Sequence, residues 1–125
     1  MKAEELRYSK DHMWVVVEGD LARMGITEHA QRELGEVVFL DLPEVGRKCA
    51  QGEVVGSIES VKTTNDLFTP LSGEVVESNS VVRDSPNIVN TDPLGQGWLF
   101  RIRLSGPDEL KQLLDFKAYT EFVKS

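Results

Sequence analysis

Few side chains here have the type and spacing that chemistry needs, and Lys62 is the best placed. It lies in Glu59-Ser60-Val61-Lys62-Thr63-Thr64-Asn65-Asp66, between two copies of one tetrapeptide, Gly52-Glu53-Val54-Val55 and Gly73-Glu74-Val75-Val76. A lysine at the tip of a turn between two strands offers a free amine that can form an amide with a prosthetic group. Ser60, Thr63 and Thr64 are small and leave the approach open, while Glu59 and Asp66 supply negative charge that a basic partner can read. An exposed turn lysine is equally an ordinary solubilising charge, and the octapeptide alone does not separate the two readings. The competing chemistries are poorly served. His12 and His29 belong to no HExxH or Cys-His arrangement, no Gly-x-Ser-x-Gly occurs, and Gly95-Gln96-Gly97 lacks the strand and helix of a phosphate loop. Glu4-Glu5 and Asp108-Glu109 read as a solvated terminus and a helix start. Cys49 stands alone, so an intrachain disulfide and a cysteine metal cluster are excluded. The sequence describes a protein without an active site of its own, which leaves room for a carrier.

The frame around Lys62 is small. The chain has 125 residues, 40% of them hydrophobic and 28% charged, with a formal net charge of −7. Such a chain suits one domain over 1–125, with 1–6 as a loose N-terminal lead-in. Its acidity disfavours nucleic acid and anionic membranes and favours basic partner surfaces. No apolar run approaches a membrane span, and the first residues resemble neither a signal nor a transit peptide, so the expected location is cytoplasmic.

The elements that must position Lys62 are mostly strands. His12-Met13-Trp14-Val15-Val16-Val17-Glu18 and 21–26 form a hairpin about Gly19-Asp20. Thr27 caps a short helix over 28–34 that Gly35 stops. Strands follow over 35–42, briefly over 47–50, over 52–59 and from Asp66, with further strand pieces at 75–77 and at Val81-Val82. Gly-Glu-Val-Val occurs three times, starting at Gly35, Gly52 and Gly73, which hints at repeated strand-turn units. A helix start is expected at Asp84-Ser85-Pro86, with Pro86 first. Trp98 to Leu104 alternates clearly as a strand. Two C-terminal helices are expected, one carrying Leu110, Leu113 and Leu114 on one face, the other Phe116, Tyr119, Phe122 and Val123. The fold class is therefore mainly β with short helices (α+β), arranged as a sandwich or flattened barrel.

Beyond periodicity, Gly56-Ser57-Ile58-Glu59-Ser60-Val61-Lys62 followed by Pro70-Leu71-Ser72-Gly73-Glu74-Val75-Val76 resembles the lipoyl-attachment signature of the glycine cleavage H-protein family. The similarity extends to His12-Met13-Trp14, Gly25-Ile26-Thr27-Glu28-His29-Ala30-Gln31, Leu34-Gly35-Glu36-Val37-Val38, Leu42-Pro43-Glu44-Val45-Gly46, Val89-Asn90 and Gly97-Trp98-Leu99, and runs from about Leu6 to Val123. The resemblance implies a lipoyl-domain-like sandwich with lipoic acid on Lys62, and with Glu59, Ser60, Val61 and Asp66 as recognition residues around the arm. It implies a shuttle that catalyses nothing alone. Its partners would be glycine decarboxylase (P protein), aminomethyltransferase (T protein), dihydrolipoamide dehydrogenase (L protein) and a lipoate-attaching enzyme. Met13 departs from the family, which usually has glutamate there. Two alternatives stand beside this reading: a relay donating lipoate to 2-oxo acid dehydrogenases, and an unmodified β-sandwich interaction module.

Overall fold

Strand alternation normally buries one face, yet Met13, Trp14 and Val15 are all buried in succession. Both faces of their strand are therefore covered, and this organises the molecule. The computed structural model describes residues 2–124. Its larger sheet has six strands in the order β1-β2-β3-β9-β8-β5, where β1 is Arg7–Tyr8, β2 Met13–Glu18, β3 Leu21–Ile26, β5 Lys48–Cys49, β8 Gly73–Ser78 and β9 Phe100–Leu104. The smaller has the order β4-β6-β7, from Val37–Asp41, Val54–Ser60 and Thr64–Phe68. Every strand pairing is antiparallel. Neither sheet closes on itself, so of the two expected arrangements the chain adopts the sandwich.

The inner faces form the main core. Ala22 lies opposite Ile102, and Ile102 opposite Val75, giving a fully buried row across three strands. It packs in one cluster with Leu40, Val55, Ile58 and Leu67 of the smaller sheet. A second cluster lies on the outer face of the larger sheet, where Leu6, Tyr8 and Trp14 are covered by Tyr119. Trp14 donates from Nε1 to the Pro93 carbonyl at 2.8 Å, satisfying its one polar atom. The indole lies against β3 at Gly25, where a Cβ would stand 2.8 Å from Nε1.

The elements largely follow expectation. Thr27 Oγ1 accepts from Ala30 N at 3.1 Å and caps α1, Glu28–Leu34. Four departures have physical causes. The lead-in is not loose: Ala3–Glu5 is a 3-10 turn and Leu6 is 2% exposed, because the second core needs it. Met1 lies outside the described residues. Val81-Val82 is helical, not extended, in α2, Ser80–Asp84; the Asn79 side chain accepts from Val81 N and nucleates it against the β preference of two valines. The next helix, α3, is Ile88–Thr91 with Asn87 at its cap, so Pro86 lies in the preceding turn. The leucine-rich C-terminal segment is a 3-10 helix, Pro107–Gln112. It stops because Leu114 is drawn into a two-bond bridge with Tyr8, at 2.8 and 2.7 Å. The last helix, α4, is Phe116–Lys124. Among the described residues no helix is long and apolar enough to cross a membrane.

Candidate functional site: the Lys62 hairpin and its groove

Strands β6 and β7 pair through Glu59 and Thr64, leaving residues 60–63 as the connection. Two-residue hairpin loops commonly need positive φ at a central position. Neither Val61 nor Lys62 supplies it, since His12 is the one described non-glycine residue with φ above zero. A side chain closes the turn instead. Ser60 N donates to the Thr63 carbonyl at 2.8 Å, and Ser60 Oγ accepts from Lys62 N at 3.1 Å and Thr63 N at 3.2 Å. Ser60 is 5% exposed, so the hydroxyl is held beneath the exposed residues whose amides it accepts from.

The tip is also tied from the side. Val61 N donates to the Glu36 carbonyl at 3.0 Å. Glu36 is itself fixed by Asn90 of α3, whose Nδ2 donates to the Gly35 carbonyl at 2.8 Å and whose Oδ1 accepts from Val37 N at 2.9 Å. Asn90 thus clamps the residues on both sides of the one that holds the turn. The backbone under Lys62 is positioned without using the Lys62 side chain.

That side chain is exposed and its aliphatic stem passes over Gly35. Gly35 has φ 76° and ψ −153°, a conformation essentially restricted to glycine. A Cβ there would lie 3.4 Å from Lys62 Cε. The glycine at the helix stop is thus required by its backbone conformation, and the lysine stem lies in ordinary contact range above it.

Beside the hairpin lies a groove of about 430 Å³ between α1 and β7, within the size range of small-molecule pockets. Met13, Ile26, Leu34 and Ile58 give it apolar wall, and Asp11, Glu33 and Asp66 give it carboxylates. His12 and His29 also line it, their rings 4.7 Å apart. His12 adopts φ 66°, and its Nδ1 is hydrogen-bonded to the Tyr119 hydroxyl at 2.7 Å. That hydroxyl also meets Thr27 Oγ1 at 2.8 Å, so α4 braces the groove wall. Burial, then the neighbouring His29, pushes the His12 pKa below its ordinary value. Burial raises that of Tyr119. Both groups are held neutral near pH 7, which suits a buried hydrogen bond.

The residues singled out in sequence separate here. Asp66 and Thr63 line the groove, and Val61 is exposed at the tip. Glu59 faces outward on the smaller sheet, opposite Phe39 and Thr64 and outside the groove lining. Ser60 turns its oxygen inward, where it holds the turn. Met13 is buried in the groove wall. Sequence reasoning missed Asn90 and Tyr119 as positioning residues; Asn90 was visible only as part of a motif, and nothing local in Tyr119 marks it. Among the described residues no group of three or more His, Cys, Asp or Glu is placed to hold a metal ion.

Comparison with known proteins bears on this geometry. The family model described as glycine cleavage H-protein matches residues 6–125. The chain is 52% identical over 120 residues to the glycine cleavage system H protein of Symbiobacterium thermophilum, covering 96% of this chain and 94% of that one. It is 53% identical over 116 residues to that of Thermotoga maritima, covering 93% and 94%. The crystal structure of a glycine cleavage system H protein from Mycobacterium marinum superposes with a TM-score of 0.84 at 37% identity, covering 97% of this chain and 95% of that one. A match over nearly the whole length, on a fold that spends its glycine and asparagine chemistry on presenting one lysine, has one meaning: the chain belongs to the glycine cleavage H-protein family.

Proposed function

We propose that Lys62 carries lipoic acid in amide linkage and that the chain is the non-catalytic carrier of glycine cleavage. The observation that carries this is the turn: Ser60, Glu36 and Asn90 fix its backbone while the lysine side chain stays free above Gly35. The residues present fit the group. The stem runs within contact distance of Gly35, and a groove with apolar walls opens next to it. Lipoate supplies reversible thiol–disulfide chemistry and a sulfur that carries a one-carbon unit. This chain's residues supply location and shelter. Amide formation removes the lysine charge, leaving Asp66, Asp11 and Glu33 as anions that face an ammonium group brought into the groove. Met13 adds no charge, but those three carboxylates keep the groove anionic without a glutamate at that position, which favours the glycine-cleavage reading over a lipoate relay.

The partners in this reading are glycine decarboxylase, aminomethyltransferase, dihydrolipoamide dehydrogenase and the enzyme that attaches lipoate. A tethered arm of roughly 14 Å serves them in turn at high effective concentration. The location in this reading is cytoplasmic, consistent with the free, buried Cys49. Intact-mass analysis after co-expression with a lipoate-attaching enzyme tests the site: one lipoyl adduct is expected on the wild type and none on Lys62→Arg. Glycine–bicarbonate exchange with the decarboxylase should vanish in that variant. Normal exchange by Lys62→Arg refutes the assignment.

A further inference from the structure

The run Val37-Val38-Phe39-Leu40 would, by simple alternation, put Phe39 on the same side as Val37. It does not, because the β4–β6 register shifts between Val37 and Phe39. The bulge leaves Val37 and Leu40 buried and turns Val38 and Phe39 outward, Phe39 being 54% exposed. A bulge that moves the largest side chain of a hydrophobic run into water runs against the folding drive, and bulges commonly re-aim a side chain beside a functional site.

The place it is aimed is specific. Phe39 lies directly opposite Glu59, which precedes the Ser60 turn, and Val61 at the tip is 65% exposed. Strand geometry puts Phe39 within roughly 10 Å of Lys62. The neighbouring acids Glu36, Asp41, Glu59 and Asp66 are exposed, and none forms an ion pair with a described residue. Around the hairpin, then, one aromatic and one aliphatic anchor stand among unpaired carboxylates.

We propose that Phe39 and Val61 form the apolar centre of the surface that docks the lipoate-attaching enzyme, in an apolar pocket rimmed by basic side chains. This rests on the assignment of Lys62 as the attachment site. Reach selects that enzyme among the partners. A bare lysine extends only about 6 Å from its Cα, so an enzyme joining an acyl group to Nζ must cover the residues around the turn. Partners that read a loaded arm act from more than twice that distance. In the attachment step Nζ loses a proton and bonds to the acyl carbon of an adenylated lipoate, and the acyl C–O bond breaks as AMP leaves with its electron pair. A buried aromatic surrounded by complementary charge is the usual form of an interface hot spot.

The test uses the apo chain with a lipoate-protein ligase, lipoate and ATP, followed by intact mass. Phe39→Ser should lower kcat/KM by roughly tenfold or more, mainly through KM, with the adduct still on Lys62 at saturating enzyme and melting unchanged. Asp41→Lys should also lower kcat/KM, and added salt should erase part of the wild-type advantage. Val17→Ser, at an exposed valine of the other sheet, should behave as wild type. Wild-type kcat/KM in Phe39→Ser overturns the proposal, as does an equal loss in Val17→Ser. A wild-type dimer that Phe39→Ser dissolves also overturns it, since the patch would then belong to self-association. If the wild type accepts no lipoate at Lys62, the site assignment fails and takes this proposal with it.

Discussion

Ser60→Ala isolates the device that holds the Lys62 turn. Three bonds centre on Ser60 Oγ: it accepts from Lys62 N at 3.1 Å and Thr63 N at 3.2 Å, and donates to the Thr63 carbonyl at 3.3 Å. Alanine keeps the backbone bond from Ser60 N to the Thr63 carbonyl, so the turn does not disappear. The two amides lose their acceptor and, at an exposed tip, regain water in part. At about 0.5–1 kcal/mol for each such bond the loss is about 1–2 kcal/mol, the same scale as losing a serine helix cap. Native-state hydrogen exchange reads this locally. Protection of the Lys62 and Thr63 amides should fall about 5- to 30-fold. The Val61 amide is held from outside the turn by Glu36 and should change much less. The lipoylation rate should fall as well, because the lysine is presented from a looser backbone. Unchanged exchange at Lys62 and Thr63, or an equal loss at Val61, would refute the reasoning that the hydroxyl fixes this turn from within.

Three further outcomes follow from the same construction. Asn90→Ala removes one accepted and two donated bonds to Val37, Gln31 and Gly35; it should cost about 2–3 kcal/mol in urea unfolding and raise exchange at Val61, 29 residues away in sequence. Gly35→Ala forces a side chain into a glycine-only backbone region and should cost about 1–3 kcal/mol, measured by thermal melting. Because the His12 pKa lies below its ordinary 6.5 in the folded state, the unfolded chain binds more protons between those two values. Stability is therefore complete above pH 6.5 and declines as pH falls below it, until the folded-state pKa is passed. Denaturation series at pH ~7.5 and ~5.5 should show this loss, and His12→Gln should remove that part of it.

Local chemistry in the sequence anticipated a good deal of this. Thr27 capped its helix as its hydroxyl suggested, and the hairpin about Gly19-Asp20 and the strands around Lys62 formed close to where alternation and turn residues placed them. What failed had causes outside the local window. Val81-Val82 has strand chemistry, but the Asn79 cap made it helical. Leu113 and Leu114 have helical spacing, but pairing with Tyr8 took Leu114 into a bridge. Phe39 has the composition of a core residue, and only a register shift against β6 exposes it. For the candidate site, the place of Lys62 in a turn between strands was readable, while the supporting bonds of Asn90 and Tyr119 were not: their partners Gly35 and His12 lie 55 and 107 residues away in sequence. Long-range hydrogen bonds leave no periodic mark.

The bond between the Tyr119 hydroxyl and His12 makes the two ends of the chain a single part. The hairpin with Lys62 draws its hydrogen bonds from residues 31–90, all synthesised before α4. The groove wall waits for Tyr119. In a chain clipped after Leu114 the Lys62 turn keeps all of these partners, while His12 and Thr27 lose the hydroxyl that braces the groove wall. Under the proposed attachment at Lys62, loading such a chain would give a carrier whose arm meets an unbraced groove, so an intact tail acts as the seal on a finished product.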